Sequence, residues 1–462
     1  MSMDTMKLSA RDLAALIRTK EISPVEATRD ALDRIEARQE LNAFITVAGE
    51  QALAAAREAE RAVLADEPLG ALHGVPFSAK DLILTAGVRT TMGSFIHADF
   101  VPTEDAVAVA RARKAGAILI GKTTTPEYGH KQSADAPISG RTLNPIDPRF
   151  TCGASSGGAA VAVAAGMGPL ALGTDGGGSI RIPASCCGVV GLKPTLGVVA
   201  NLQPPDLFGA NSYVGPMARD VRDVQLLYQV IEGTHRRDPY GQGQQGPQRP
   251  PPPSLSGLKV AWLPACGNRL DPEVAAAASA AVGLMERDGA IVETVELDFV
   301  ALERHFLVIL ESMLAARIGP HLERFRDRID PSLIRAVTRG MEHGAVALHE
   351  ANYARTRCFL QLQSLFERHD VLVSPTVSAP PLPVDQDPNG IVVIDGEPAG
   401  TIRGAWYPYT YPMNLTGHPA LSMPCGRSTL GLPIGLQLAG GWHDDEFVLG
   451  VAALLEARLP GG

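Results

Sequence analysis

The sequence predicts an α/β fold, and three observations carry that prediction. Residues 159–165, all alanine or valine, read as a buried helix, and residues 169–173 follow as a short buried strand. Further on, residues 258–263, 271–287 and 291–297 read as strand, helix and strand, a β-α-β unit. The 47 glycines and 36 prolines among 462 residues supply the turns that such alternation requires.

Taken from the N-terminus, each element has an identifiable cause. Ser9 lies three residues before Asp12, and Ser23-Pro24-Val25-Glu26 combines an N-cap, a proline at N1 and a capping-box glutamate. Two helices therefore begin there. Residues 72–79 are half apolar and run into a strand that leads to Lys80. Gly116-Ala117-Ile118-Leu119-Ile120-Gly121-Lys122-Thr123 satisfies the Walker A pattern letter for letter. A phosphate loop, however, follows a strand and curls through small or polar residues. Here the intervening residues form a strand themselves, and Pro126 comes too soon for a good helix, so a core strand is the better reading. Residues 238–257, with their Gly-Gln repeats and the run Pro250 to Pro253, read as an exposed, partly extended connector. Residues 301–369 read as largely helical.

Composition narrows the function. A net charge of −9 argues against general nucleic-acid binding, because phosphate contacts need clustered lysine and arginine. There is no basic-then-apolar leader, and no apolar run approaches the ~20 residues of a membrane span. Six scattered cysteines suit a reducing compartment, so the expected location is cytoplasmic. Neither Cys186-Cys187 nor His349-Glu350 has the spacing of a metal site, and no metal or other cofactor is expected.

The chemistry concentrates in two loops and one lysine. Ser179 closes the run Thr174-Asp175-Gly176-Gly177-Gly178, and Ser155 and Ser156 lie in Gly153-Ala154-Ser155-Ser156-Gly157-Gly158. Acyl transfer needs a serine whose proton is removed by a base, and N–H donors aimed at the oxyanion. Three glycines can turn their N–H groups into such a nest beside Ser179. Lys80 can act as a base only where burial favours its neutral form. Gly153-Ala154-Ser155-Ser156-Gly157 also fits the G-x-S-x-G elbow, which would make Ser155 the nucleophile. That elbow needs a strand running into the serine, and residues 144–151 carry two prolines and no alternating apolar pattern.

The stretch from Gly153 to Ala184 resembles the amidase signature family, with G-A-S-S-G-G followed by T-D-x-G-G-S-I-R-x-P-A. The segments Gly74–Asp81, Cys187–Pro194, Gly215–Arg219, Asn414–Ala420 and Gly431–Gln437 resemble it as well. The resemblance implies a single amidase domain over residues 1–462, built on a large, mixed, twisted sheet covered by helices on both faces. Its parts would be a signature core at 68–233, the connector at 238–257, a variable substrate-facing region at 258–369 and a C-terminal part of the core at 370–462. Carried over by position, Ser179 becomes the acyl-forming nucleophile, Ser155 the bridging serine after a cis peptide, and Lys80 the base. The N–H groups of Gly176, Gly177, Gly178 and Ser179 become the oxyanion hole, braced by Ser156, Asp175 and Arg181. Gly176 stands where relatives often have threonine or isoleucine.

The activity implied is hydrolysis of a small-molecule amide, with anilides, ureas and carbamates also handled within the family. Trp406-Tyr407-Pro408-Tyr409-Thr410-Tyr411 would favour an aryl group if it lines the site, and otherwise packs the sheet. Leu207-Phe208 and Met313-Leu314 are further candidate pocket residues. The alternative is a subunit of a tRNA-dependent amidotransferase. That branch usually has glutamine where this chain has Ile182. Many relatives form homodimers, although no stripe in this sequence marks an interface.

Overall fold

The computed structural model describes residues 4–209, 211–241 and 249–460. Among these, eleven strands form one mixed sheet. In chain order they are β1 (Phe44–Val47), β2 (Pro76–Lys80), β3 (Ile118–Thr123), β4 (Leu170–Asp175), β5 (Val190–Lys193) and β6 (Tyr213–Ala218). They continue with β7 (Lys259–Trp262), β8 (Ile291–Thr294), β9 (Val371–Pro375), β10 (Ala420–Arg427) and β11 (Pro433–Ala439). The order across the sheet is β1-β3-β2-β4-β6-β5-β10-β11-β9-β7-β8. The pairs β3-β2, β2-β4, β9-β7 and β7-β8 are parallel, and the remaining neighbours are antiparallel.

Successive side chains of a strand point to opposite faces, so a strand buried at every position is covered on both sides. Every residue of β2 to β6, β9 and β11 is buried. The edge strand β8 keeps one intermediate and three exposed positions. Helices therefore sandwich the centre of the sheet, and the residues that lead into the two serine loops lie in that centre.

The local signals act as their chemistry requires. Ser9 Oγ accepts the Asp12 N–H at 3.0 Å and starts a helix over Ala10–Arg18. Ser23 Oγ accepts the Val25 N–H at 2.9 Å at the head of the helix Pro24–Ala37. The Walker-like segment is β3, in the core. The β-α-β unit is β7, the helix Pro272–Arg287 and β8, in parallel. Strand β8 stops at Thr294, short of the expected residue 297, because its partner β7 ends opposite it at Trp262. Strand β4 runs two residues further than expected, since Thr174 and Asp175 pair with Val214 and Tyr213. Helices Glu303–Ile318, Pro331–Glu342 and Ala345–Phe366 fill most of the region read as helical.

Part of the expected connector, residues 242–248, lies outside the described residues. Pro250 to Pro253 form no regular secondary structure. Just before them, the Arg249 guanidinium stacks on Phe447, 3.6 Å from the ring centroid. No described helix is long and apolar enough to cross a membrane.

Candidate active site

Strand β2 ends at Lys80, and its neighbour β4 ends one residue past Thr174. Both strand ends open towards the helix Gly157–Ala164, whose first turn follows Ser155 and Ser156. The side chain of Lys80 is fully buried among oxygens. Its Nζ lies 2.7 Å from Ser155 Oγ, 2.9 Å from Thr174 Oγ1, 3.0 Å from Ser156 Oγ and 3.2 Å from the Thr174 carbonyl. Burial pushes this amine well below the ordinary lysine value, and the Asp175 carboxylate only partly offsets the shift. No carboxylate touches Nζ among the described residues.

Ser156 occupies the N-cap position of its helix, yet its hydroxyl does not cap it. The hydroxyl instead donates to the Thr174 carbonyl at 3.0 Å and accepts the Thr174 N–H at 3.2 Å. The Ser156 N–H donates to the Ser179 carbonyl at 3.0 Å, which ties the two serine loops together. The peptide between Ala154 and Ser155 is cis. Across from Ser155, Gly129 has φ +69°, and a Cβ there would fall 2.9 Å from Ser155 Oγ. Only glycine lets the 127–129 turn pass this close to the hydroxyl.

Asp175 and Arg181 brace the glycine loop from below. Both are wholly buried. Asp175 Oδ2 accepts from Arg181 Nε at 3.0 Å and from the Ile180 N–H at 3.1 Å. Its Oδ1 accepts from Arg181 Nη2 at 3.0 Å, from Asn414 Nδ2 at 2.9 Å and from the Gly178 N–H at 2.6 Å. Burial alone would raise this carboxyl, but the Arg181 guanidinium and the hydrogen bonds outweigh it and hold the group well below the usual range. Arg181 also donates to Asn414 Oδ1 and Gln437 Oε1, both at 2.7 Å, and to the Thr410 carbonyl at 2.9 Å. All the polar edges of this buried ion pair are therefore engaged, as such a pair requires.

The Gly178 N–H, expected among the oxyanion donors, points at Asp175 Oδ1 and braces the loop. The N–H groups of Gly176, Gly177 and Ser179 have no hydrogen-bond partner among the described residues. Thr410 supports the loop from the other side, its hydroxyl donating to the Gly177 carbonyl at 2.8 Å.

The aromatic run serves mainly as packing. Trp406, Tyr409 and Tyr411 are fully buried, and their polar tips donate to the carbonyls of Ala379, Pro264 and Phe299. Tyr407 alone of the four reaches a cavity that is also lined by His130, Gln132, Leu310, Leu314 and Arg403. Leu314 lines this cavity, whereas Met313 and Phe208 are exposed and Leu207 lines a separate hollow.

Sequence reasoning missed Thr174, Gly129, Asn414 and Gln437 as parts of the site. Thr174 stands inside the quoted glycine-loop motif, and Asn414 and Gln437 stand in segments that already resembled the family. The signal was present, but not the contacts that give it meaning.

Comparison with known proteins agrees with this geometry. Residues 26–449 match the family model described as Amidase. An acylamidase of Rhodococcus erythropolis is 36% identical over 98% of this chain and 96% of its own length. A glutamyl-tRNA(Gln) amidotransferase subunit from Moorella thermoacetica is also 36% identical, over 95% of this chain and 94% of its own. Among solved structures, a bacterial aryl acylamidase described as an amidase signature enzyme superposes with a TM-score of 0.89. It is 29% identical, and the match covers 97% of this chain and 96% of that one.

Proposed function

The chain belongs to the amidase signature family, and on that premise we propose that it hydrolyses carboxylic amides through an acyl intermediate on Ser179. The observation that carries this reading is the buried Lys80 amine, 2.7 Å from Ser155 Oγ and shifted towards its neutral form. A neutral amine donates two hydrogens and accepts one. Its shortest contact is then the one in which Ser155 donates to nitrogen, which frees the Ser155 oxygen to take the proton of Ser179. Ser179 attacks the carbonyl carbon, and the N–H groups of Gly176, Gly177 and Ser179 receive the developing oxyanion. The proton returns through Ser155 to the leaving nitrogen, the C–N bond breaks, and water repeats the sequence on the acyl-enzyme. Each donor of this kind is worth about 3–4 kcal/mol of barrier lowering.

The substrate class is a small-molecule amide; anilides and aryl carbamates are the variants to separate, and a cytoplasmic setting suits such an enzyme. The test is product release from an aliphatic primary amide, a nitroanilide and an aryl carbamate, with wild type beside Ser179→Ala. Turnover lost in the variant supports the assignment, and the preferred member names the leaving group. Turnover that survives in Ser179→Ala rejects Ser179 as nucleophile.

A second reading has its own support in the Moorella amidotransferase component, which is equally identical to this chain. In that case the chain would need partner proteins and would be inert alone towards simple amides. Ile182 favours the first reading, and amide hydrolysis by the isolated chain would exclude the second.

A further inference from the structure

Three segments run from the serine loops to the cavity bounded by Tyr407. The turn that carries Gly129 past Ser155 continues into His130, Lys131 and Gln132 on the cavity wall. Phe306 covers the glycine loop so closely that a Cβ on Gly177 would come within 2.8 Å of its ring, and Leu307 and Leu310 on the same helix face the cavity. From the other side, Thr410 holds the Gly177 carbonyl, and the preceding turn Ile402–Trp406 contributes Ile402 and Arg403. The cavity therefore begins one layer of side chains from the glycine loop.

The charges on its wall are paired, with one exception. Lys131 is held by Asp330 at 2.6 Å and by Asp135 at 2.7 Å. Arg339 pairs with Glu311 at 2.5 Å, and Glu311 also meets His343 at 3.0 Å. Burial keeps His130 neutral, its pKa lowered to about 4. Arg403 has no carboxylate partner among the described residues. Its sole hydrogen bond there is a long one, from Nη2 to the His130 carbonyl at 3.4 Å, and its Nε–H is buried without a partner. Gln132 is 8% exposed, and its Oε1 is likewise buried without a donor. An unmatched guanidinium edge and an unmatched acceptor on one cavity wall are costly unless a ligand completes them.

We propose that this cavity holds the part of the substrate remote from the scissile carbonyl, and that Arg403 selects amides bearing a carboxylate there. The guanidinium presents a planar fork that a carboxylate matches with two parallel hydrogen bonds. Gln132 Oε1 accepts an N–H or O–H from the same molecule. The proposal rests on the amide-hydrolase reading but assigns what that reading leaves open, the charge of the substrate.

The experiment compares two nitroanilides of similar length, the mono-4-nitroanilide of glutaric acid and pentanoyl 4-nitroanilide, in wild type and Arg403→Met. Wild type should favour the anionic compound in kcat/KM by about 10- to 100-fold, the scale of a hydrogen-bonded charge. In Arg403→Met that ratio should collapse towards unity, with the loss carried by KM. A merely structural defect would lower both substrates and leave the ratio intact, which overturns the proposal, as does a wild type that prefers the neutral compound. If wild type turns over neither compound, the hydrolase reading is in doubt for these amides, and the subsite is judged by calorimetry. Binding of the glutaric compound to wild type that weakens at least about 10-fold in Arg403→Met supports the proposal. No binding to wild type, or equal binding to both proteins, overturns it.

Discussion

Lys80 shows how a single residue takes its chemistry from its surroundings. In the sequence it is one lysine before an aspartate; in the fold it is the last residue of a fully buried strand, with only hydroxyls and a carbonyl against its nitrogen. Had a carboxylate been in contact, the cation would have been favoured and the base lost. Because burial lowers the amine well below the free-lysine value of about 10.4, kcat/KM should rise with pH along an ionisation clearly below that figure. It should then level off at alkaline pH. Lys80→Met should remove this ionisation and cost about 10²- to 10⁴-fold in rate, as expected for a general base. A flat or acid-favoured profile in wild type would argue against the assignment. Thr174 sets the limit of what sequence alone can convey here. Its position in the motif was plain, but its contact with Nζ arises only because β2 and β4 are neighbours.

At the scale of elements, much of the fold was legible. Helix starts were readable because a serine cap acts on N–H groups two or three residues away, and β3, β4 and β7 were readable from short apolar runs such as Ile118-Leu119-Ile120 and Leu170-Ala171-Leu172. Boundaries failed where a partner strand decides them, as at Thr294 and Asp175. The site loops were legible as motifs but not as a division of labour among glycines. Gly178 has φ +116°, and a Cβ on it would meet Thr410 Oγ1 at 2.4 Å; at Gly176 the nearest atom would be the Asn211 carbonyl oxygen at an ordinary 3.5 Å. That openness is consistent with the larger residues relatives carry at Gly176. Gly178→Ala should therefore lower kcat at least about 100-fold more than Gly176→Ala, a loss of the size seen when an oxyanion donor is removed. The reason is that the added methyl displaces the loop that Asp175 and Thr410 hold. Equal effects of the two substitutions would mean that loop geometry is not what the glycines protect.

Across the whole molecule, the distant segments matter most. Asn414 and Gln437 converge on Arg181 from the C-terminal part of the chain, so the loop that presents Ser179 is completed only once β10 and β11 have joined the sheet. The interior that results is rich in buried lysines and thiols, and this gives stability an unusual pH dependence. Lys80 and Lys122 are both lowered by burial, Lys122 to about 7, whereas in the unfolded chain each titrates near ~10.4. From about pH 7 to about pH 8 the unfolded chain thus holds more protons than the folded chain. Stability must then rise with pH, by about 1 kcal/mol per pH unit for each lysine fully neutral in the fold. Above about pH 8 the six thiols, which ionise near ~8.5 in the unfolded chain, reverse the trend. Burial raises Cys152, Cys358 and Cys425 to about 12, and Cys186, Cys187 and Cys266 well above their ordinary value. Unfolding then releases thiol protons, and stability falls as pH increases. Thermal melts under reducing conditions, in buffers of matched ionic strength, should therefore give a Tm that climbs from pH 7, peaks at about pH 8 and declines beyond it. A Tm that falls steadily from pH 7 would show that these lysines keep their protons in the folded chain, and would remove the neutral amine on which the role of Lys80 depends.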